Sequence, residues 1–136
     1  MCESKEVFKV KPFEEKIKCL IIEPDKKPSI QVIDNTLEAK QEIVGGLIQY
    51  IPLSDTAGMI CNDEGKLIGL PANRIVGDDI IAGTFLVVGI EWDNEDFVSL
   101  SEEDIAKYSE EFEPTLNEQI HEIRVRRLAE LIEFLQ

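Results

Sequence analysis

The chain has 136 residues, of which 43% are hydrophobic, and this suits one soluble domain whose core needs neither disulfides nor a metal. Its 28 acidic residues outnumber its 14 basic ones, and the net charge of −14 argues against binding to nucleic acid or to anionic membranes and favours cationic partners. The three cysteines form no CxxC pair and no apolar run approaches membrane-spanning length, so we expect a cytoplasmic protein without a zinc site.

The N-terminal part of the chain is predicted to form an arm followed by a β-hairpin. Residues 1–15 mix charges with phenylalanines and show no hydrophobic period, so they are assigned to the arm. The segments 16–23 and 30–33 are rich in apolar and β-branched residues and are separated by the turn-like sequence PDKKPS. They predict two strands of one hairpin.

A short helix is predicted next, over residues 36–44. Asn35 lies three residues before Glu38, which is the spacing of a capping box. Gly45 and Gly46 follow the last apolar residue and can adopt the left-handed conformation that ends a helix. The apolar residues of the segment do not form a long stripe, so we expect this helix to lean on a sheet.

The middle of the chain reads as a series of strands. Asp63, Glu64 and Gly65 predict a tight hairpin turn, with Gly65 at the position of positive φ. The most apolar segment, IIAGTFLVVGI, predicts a central strand, and the acidic segment WDNEDF after it predicts a loop. The strands are predicted at residues 47–53, 58–62, 67–70 and 80–90.

Two helices are predicted to close the chain. Ser101 caps a helix that extends to about residue 112, with acidic residues in its first turn. Thr115 and Glu118 form a capping box for a helix of about twenty residues. This last helix is longer than so small a core requires, so its apolar face either packs on the domain's own sheet or pairs with a second copy.

The predicted fold is therefore α+β, with a mainly antiparallel sheet and one internal helix, followed by two C-terminal helices. We divide the chain into an N-terminal arm, an α+β core domain and a C-terminal amphipathic helix. Their predicted bounds are residues 1–15, 16–113 and 114–136.

Several motifs in the core segment resemble the bacterial and phage family known as domain of unknown function 3846. They are a Val-Gly-Gly element, an acidic turn with glycine and lysine, a Leu-Pro-x-Asn-Arg element, an Ile-x-Gly strand and a Ser-Leu-x-x-Glu helix start, at residues 44–46, 62–66, 70–74, 81–83 and 99–103. The resemblance covers about residues 17–112, with Asp63 where the family usually has glutamate. It implies no established activity, but it implies an origin in phages, mobile elements or their bacterial hosts.

The strongest candidate for a ligand-binding residue is Arg74, the only arginine among the first 123 residues. Arg74 and Asn73 follow Pro71, which is expected to take the chain out of a strand and into a loop. An amide beside a guanidinium suits a phosphate or a base edge. In the alternative, Asn73 satisfies loop backbone groups and Arg74 pairs with a carboxylate, for which Glu64, Asp78 and Asp79 are the candidates.

Asn62, Glu64 and Lys66 form a second polar group on the predicted hairpin, which we expect beside the Arg74 loop. Turn chemistry alone is the competing explanation for Asn62. The chain shows no pairing of a nucleophile with a base, no metal-ligand spacing and no phosphate loop. We therefore predict no catalytic residues, no metal and no cofactor.

Two noncatalytic functions follow from these features. The first is a binding protein that holds a small anionic, nucleotide-like ligand near Arg74, Asn73, Lys66, Asn62 and Glu64. The second is an acidic protein-interaction module that acts as an inhibitor or a nucleic-acid decoy, because residues 91–122 contain twelve carboxylates and one lysine. In both cases the C-terminal helix allows a homo-oligomer as the alternative to packing on its own sheet, and a membrane partner is not expected.

Overall fold

The computed structural model describes residues 13–136, so most of the predicted arm lies outside the described residues. It confirms an α+β fold. The described chain contains eight strands and three helices. In chain order they are β1 Lys16–Ile22, β2 Ser29–Asp34, α1 Leu37–Val44, β3 Ile48–Pro52, β4 Ala57–Asn62, β5 Ala72–Val76, β6 Asp79–Ala82, β7 Phe85–Glu91, β8 Asn94–Val98, α2 Glu102–Glu111 and α3 Leu116–Leu135.

Six of the strands form one antiparallel sheet in the order β2-β1-β7-β4-β3, with β8 paired to β7 in addition. The predicted hairpin of β1 and β2 is confirmed, with Lys16 opposite Asp34 and Ile21 opposite Ser29. The strands β5 and β6 form a separate two-stranded sheet. This small sheet carries Asn73 and Arg74.

The core lies on both faces of the main sheet, and β7 contributes to both. Phe85 and Val87 point to the face covered by α2, whereas Leu86 and Val88 point to the face where Val44 of α1 packs. Side chains alternate across a strand, so a strand buried on both faces is apolar at every position. This explains the continuous apolar run that marks β7 in the sequence.

The predicted ends of α1 are confirmed at the C-terminus and wrong by one residue at the N-terminus. Gly45 has φ of 81° and ends the helix in the left-handed conformation. The N-cap is Thr36, whose hydroxyl accepts a hydrogen bond from the Ala39 amide. Asn35 does not cap, because its side-chain amide donates to the Phe97 carbonyl and its Oδ1 accepts from buried Lys40.

The strand predicted at residues 67–70 is wrong, because residues 63–69 form a continuous turn. The amide of Ile68 donates to the Glu64 carbonyl, and the side chains of Leu67 and Ile68 are 85% and 58% exposed, so neither packs in the core. The prediction of positive φ at Gly65 is also wrong. Glycine is required there by close approach, since a Cβ atom would lie 2.7 Å from the Ala82 carbonyl oxygen.

The single strand predicted over residues 80–90 is two strands, broken at Gly83. Gly83 has φ of 84°, and its amide donates to the Pro71 carbonyl at 2.7 Å. Only glycine adopts this backbone without strain, so the chain turns there and leaves β6 to pair with β5. Residues 72–76 are consequently a strand and not the predicted loop.

The acidic segment predicted as a loop is the hairpin of β7 and β8. Glu91 pairs with Asn94 across a turn that contains Trp92 and Asp93. The two C-terminal helices agree with prediction, and Ser101 accepts a hydrogen bond from the Asp104 amide as the N-cap of α2. None of the three helices in residues 13–136 is long and apolar enough to cross a membrane.

Candidate functional site

Arg74 lies in β5 and is entirely buried, with an exposed fraction of 0%. Its Nε donates to the Phe112 carbonyl at 3.0 Å, at the C-terminal end of α2. Its other two guanidinium nitrogens donate to the carbonyls of Glu23, at 3.5 Å, and Lys26, in the loop between β1 and β2. One side chain therefore fastens a helix end and a hairpin loop to the small sheet.

Asn73 is buried beside Arg74 and completes this cluster, which we call the Arg74 junction. Its Oδ1 accepts from Arg74 at 2.9 Å, and its Nδ2 donates to the carbonyls of Ile22 and Gly83, both at 2.8 Å. The amide thus joins the end of β1 to the turn before β7. Asn73 therefore forms hydrogen bonds with backbone groups, as the alternative interpretation of the sequence predicts.

Burial lowers the pKa of Arg74, and the carboxylates of Asp25 and Glu118 oppose this effect. The Phe112 carbonyl belongs to the negative end of the α2 dipole, which favours a cation at this point. The predicted ion pairs with Glu64, Asp78 or Asp79 are wrong. Main-chain carbonyls and the Asn73 amide accept the Arg74 hydrogen bonds, and Asp79 pairs with Lys66 instead.

Asn62, Glu64 and Lys66 line one cleft of about 350 Å³ between the end of β4, the 63–69 turn and β6. Arg74 and Asn73 are not among the residues that line it. Asn62 serves the fold, because its Nδ2 donates to the Val44 carbonyl at 3.1 Å and its Oδ1 accepts from the Glu64 amide at 2.8 Å. The structure thus separates the five predicted site residues into a buried junction and an open cleft.

The electrostatics of this cleft favour cations over anions. Lys66 forms an ion pair with Asp79, and the hydrogen bond from Lys66 lowers the pKa of that carboxyl group. Asp63 and Glu64 also line the cleft, so three carboxylates stand against one lysine. Among residues 13–136, no group of three or more histidine, cysteine or acidic side chains is arranged to hold a metal ion.

A second surface is centred on Trp92, in the hairpin turn between β7 and β8. It is not among the candidate sites predicted from the sequence. Trp92 is 95% exposed, the highest value among the large hydrophobic residues of the described chain. It lines a surface depression of about 530 Å³ together with the carboxylates of Asp55, Glu91 and Asp93. We call these four residues the Trp92 tip.

The sequence carried a signal for this tip, since a tryptophan between acidic residues is unusual. Its exposure could not be read from the pattern, because a tryptophan next to a strand more often packs onto that strand. The position of Asp55 was also not predictable. It comes from the β3–β4 connection, which tertiary structure brings beside the hairpin.

The comparisons with known proteins agree with the motifs in the core. The model of the family described as Domain of unknown function (DUF3846) matches residues 17–113. The chain belongs to the DUF3846 family. The match spans β1 to the end of α2 and so includes the Arg74 junction, the cleft and the Trp92 tip. No curated protein and no solved structure is significantly similar to this DUF3846 chain.

Proposed function

We propose that this DUF3846 protein is a noncatalytic interaction module that binds a basic segment of a partner protein through the Trp92 tip. The observation that carries the proposal is the 95% exposure of the indole among three carboxylates. Tryptophan is enriched among the residues that dominate binding energy at protein interfaces. The face of an indole also attracts lysine and arginine side chains, and neighbouring carboxylates add to that attraction.

The charge distribution of the chain supports a basic partner. Residues 91–122 contain twelve carboxylates and one lysine, and they form the β7–β8 turn, β8, α2 and the start of α3. A surface with a large excess of one charge raises the rate at which oppositely charged partners arrive. The tip therefore offers a specific anchor inside a region that attracts cations at longer range.

Tryptophan fluorescence gives a direct test, because Trp92 is the only tryptophan in the chain. The probe is a series of peptides of equal length, one rich in lysine and arginine, one uncharged and one rich in glutamate. We expect the basic peptide alone to shift the Trp92 emission, with an affinity that falls as salt is raised from 50 to 500 mM. Equal responses to all three peptides would count against the proposal.

Two variants distinguish binding at the Trp92 tip from attraction by the acidic surface as a whole. Trp92→Ala should weaken binding of the basic peptide at least tenfold, measured by calorimetry, because it removes the aromatic anchor and keeps the net charge. Phe134→Ala is the matched control, since Phe134 is another exposed aromatic residue, on α3. If both variants bind as the wild type does, the proposed anchor is wrong.

The other candidate, a small anionic ligand held near Arg74, has less support. The guanidinium is buried and already bound to carbonyls, while Lys66 in the cleft is paired with Asp79. A nucleotide screen by thermal shift tests this hypothesis, with Lys66→Ala as the variant because that side chain is exposed. A nucleotide that raises the melting temperature of the wild type but not of Lys66→Ala would favour the anion site over the basic partner.

The setting that we propose is the cytoplasm of a bacterium, in the context of a phage or mobile element. The free thiols of Cys19 and Cys61 support a reducing compartment. The mobile-element context comes from the family resemblance alone. Cell fractionation of the native host would test the compartment.

A further inference from the structure

Helix α3 leaves the domain after its first two turns. Leu116, Gln119 and Ile120 are half-buried, and the Gln119 side chain pairs with the backbone of Ile75 in β5, accepting from its amide at 2.8 Å and donating to its carbonyl at 3.2 Å. Every residue from position 121 onward is exposed. This free segment, residues 121–135, is about 22 Å long at 1.5 Å per residue.

The free segment carries an apolar stripe. Leu128, Leu131, Ile132 and Leu135 follow the i, i+3, i+4, i+7 spacing of one helix face, and Val125 lies beside them. Each of the five is exposed by half or more. Such a stripe in water is unfavourable, because apolar side chains gain free energy when they are buried.

The protein's own domain cannot cover this stripe while the Gln119 contact is kept. At 100° per residue, the centre of the stripe lies about 130° around the helix axis from the face formed by Leu116, Gln119 and Ile120. That face is the one that touches the domain. The stripe therefore points away from β5, and it stays exposed among the described residues.

A second copy of the chain fits the charge of this segment. The three arginines at positions 124, 126 and 127 balance the three glutamates at 122, 130 and 133, so the free segment has no net charge in a chain of net charge −14. Two copies therefore meet here without the repulsion that the rest of the surface would impose. A lone helix of this length is marginal in water, and burial of its apolar face stabilises it.

The charged side chains of this segment lie mostly outside the stripe. At 100° per residue, the positions roughly 115° or more around the helix axis from its centre are Glu122, Arg126, Glu130 and Glu133. These side chains therefore stay in contact with water when the stripes of two copies meet, and a two-fold axis lets the same stripe serve both copies.

We propose that this protein forms a homodimer in which the free segments of two α3 helices pair through the stripe of Val125, Leu128, Leu131, Ile132 and Leu135. Glu122 and Arg126 stay on the outer face, where they already form an i,i+4 ion pair at 3.6 Å. This proposal does not depend on the Trp92 tip.

Analytical ultracentrifugation of the full chain from 1 to 100 μM tests the assembly. We expect a species of twice the 15.4 kDa monomer mass, and loss of that species in Leu128→Glu. Phe134→Glu is the matched control, because Phe134 is 84% exposed but lies outside the stripe. A monomer at 100 μM in the wild type, or equal loss of the dimer in both variants, overturns the proposal.

Discussion

The Arg74 junction and the Trp92 tip use a rare residue in opposite ways. Arg74 is the only arginine before residue 124, and it is completely buried with its donors on carbonyl oxygens. Trp92 is the only tryptophan, and it is almost completely exposed. Charged residues are normally outside and large apolar residues mostly inside, so both positions reverse the general preference. Arg74 is thus a charged residue that stabilises the fold, whereas Trp92 is an aromatic residue that the fold leaves exposed.

The difference has a physical basis in how each group can be satisfied. A guanidinium donates in several fixed directions and can therefore collect carbonyls from several distant segments at once. The indole has one donor and a large apolar surface, so exposure leaves most of that surface in contact with water. Arg74 has its hydrogen-bond partners within the chain, whereas the surface of Trp92 stays in contact with water.

The largest effect is expected for Arg74→Ala. Removing the guanidinium leaves the carbonyls of Phe112, Glu23 and Lys26 without that donor and leaves a space in the buried junction, and should lower the free energy of unfolding by about 3 kcal/mol. Urea unfolding followed by circular dichroism measures this loss. A change below about 1 kcal/mol would show that the junction is not a structural centre.

Two further variants test how the Arg74 junction stabilises the fold. Arg74→Lys should recover only part of the stability, because an ammonium group cannot reach carbonyls in three fixed directions. Asn73→Ala should also lower the free energy of unfolding. The double variant with Arg74→Ala should lose less free energy of unfolding than the sum of the two single losses, since the two side chains share a hydrogen bond.

A smaller effect, of a different kind, concerns the thiol of Cys19 in the core. Burial raises its pKa from 9.0 to about 11, so the folded state keeps the thiol proton where the unfolded state has lost it. Stability should therefore fall as pH rises from 9 to about 11, by up to ~1.4 kcal/mol per pH unit. Unfolding curves of the wild type and Cys19→Ala should show the steeper fall in the wild type. Parallel pH profiles would contradict this linkage.

The smallest effect on stability is expected for Trp92→Ala. The side chain is 95% exposed, so its loss should change the free energy of unfolding by less than about 0.5 kcal/mol. The same denaturation assay measures it, with Arg74→Ala as the reference for a structural residue. A loss above about 1 kcal/mol would mean that the indole packs on the hairpin, and would weaken the case for a binding anchor.

Much of the fold could be predicted because its signals are local. The β1–β2 hairpin, the left-handed stop at Gly45 and the caps at Ser101 and Thr115 each depend on residues that are close in sequence. The errors arose where long-range pairing overrides local pattern. The run through Gly83 looks continuous, but β6 leaves it to pair with β5, and that pairing gives Arg74 its place in a strand.

The candidate site could be predicted only in part. Asn62, Glu64 and Lys66 do share a cleft, as their spacing on one turn suggests. The carbonyls that bind Arg74 belong to residues 23, 26 and 112, and backbone acceptors have no signature in the sequence. Nothing local therefore distinguishes this arginine from one that binds a ligand.

The sequence by itself determined the fold class, the family, the C-terminal end of α1 and the starts of α2 and α3, because hydrophobic period and capping act over a few residues. Only the tertiary structure decided that Arg74 is buried, that Trp92 is exposed and that the stripe on α3 points away from its own domain. Each of these depends on which distant segments meet, and exposure is a property of the assembled surface that no single segment encodes.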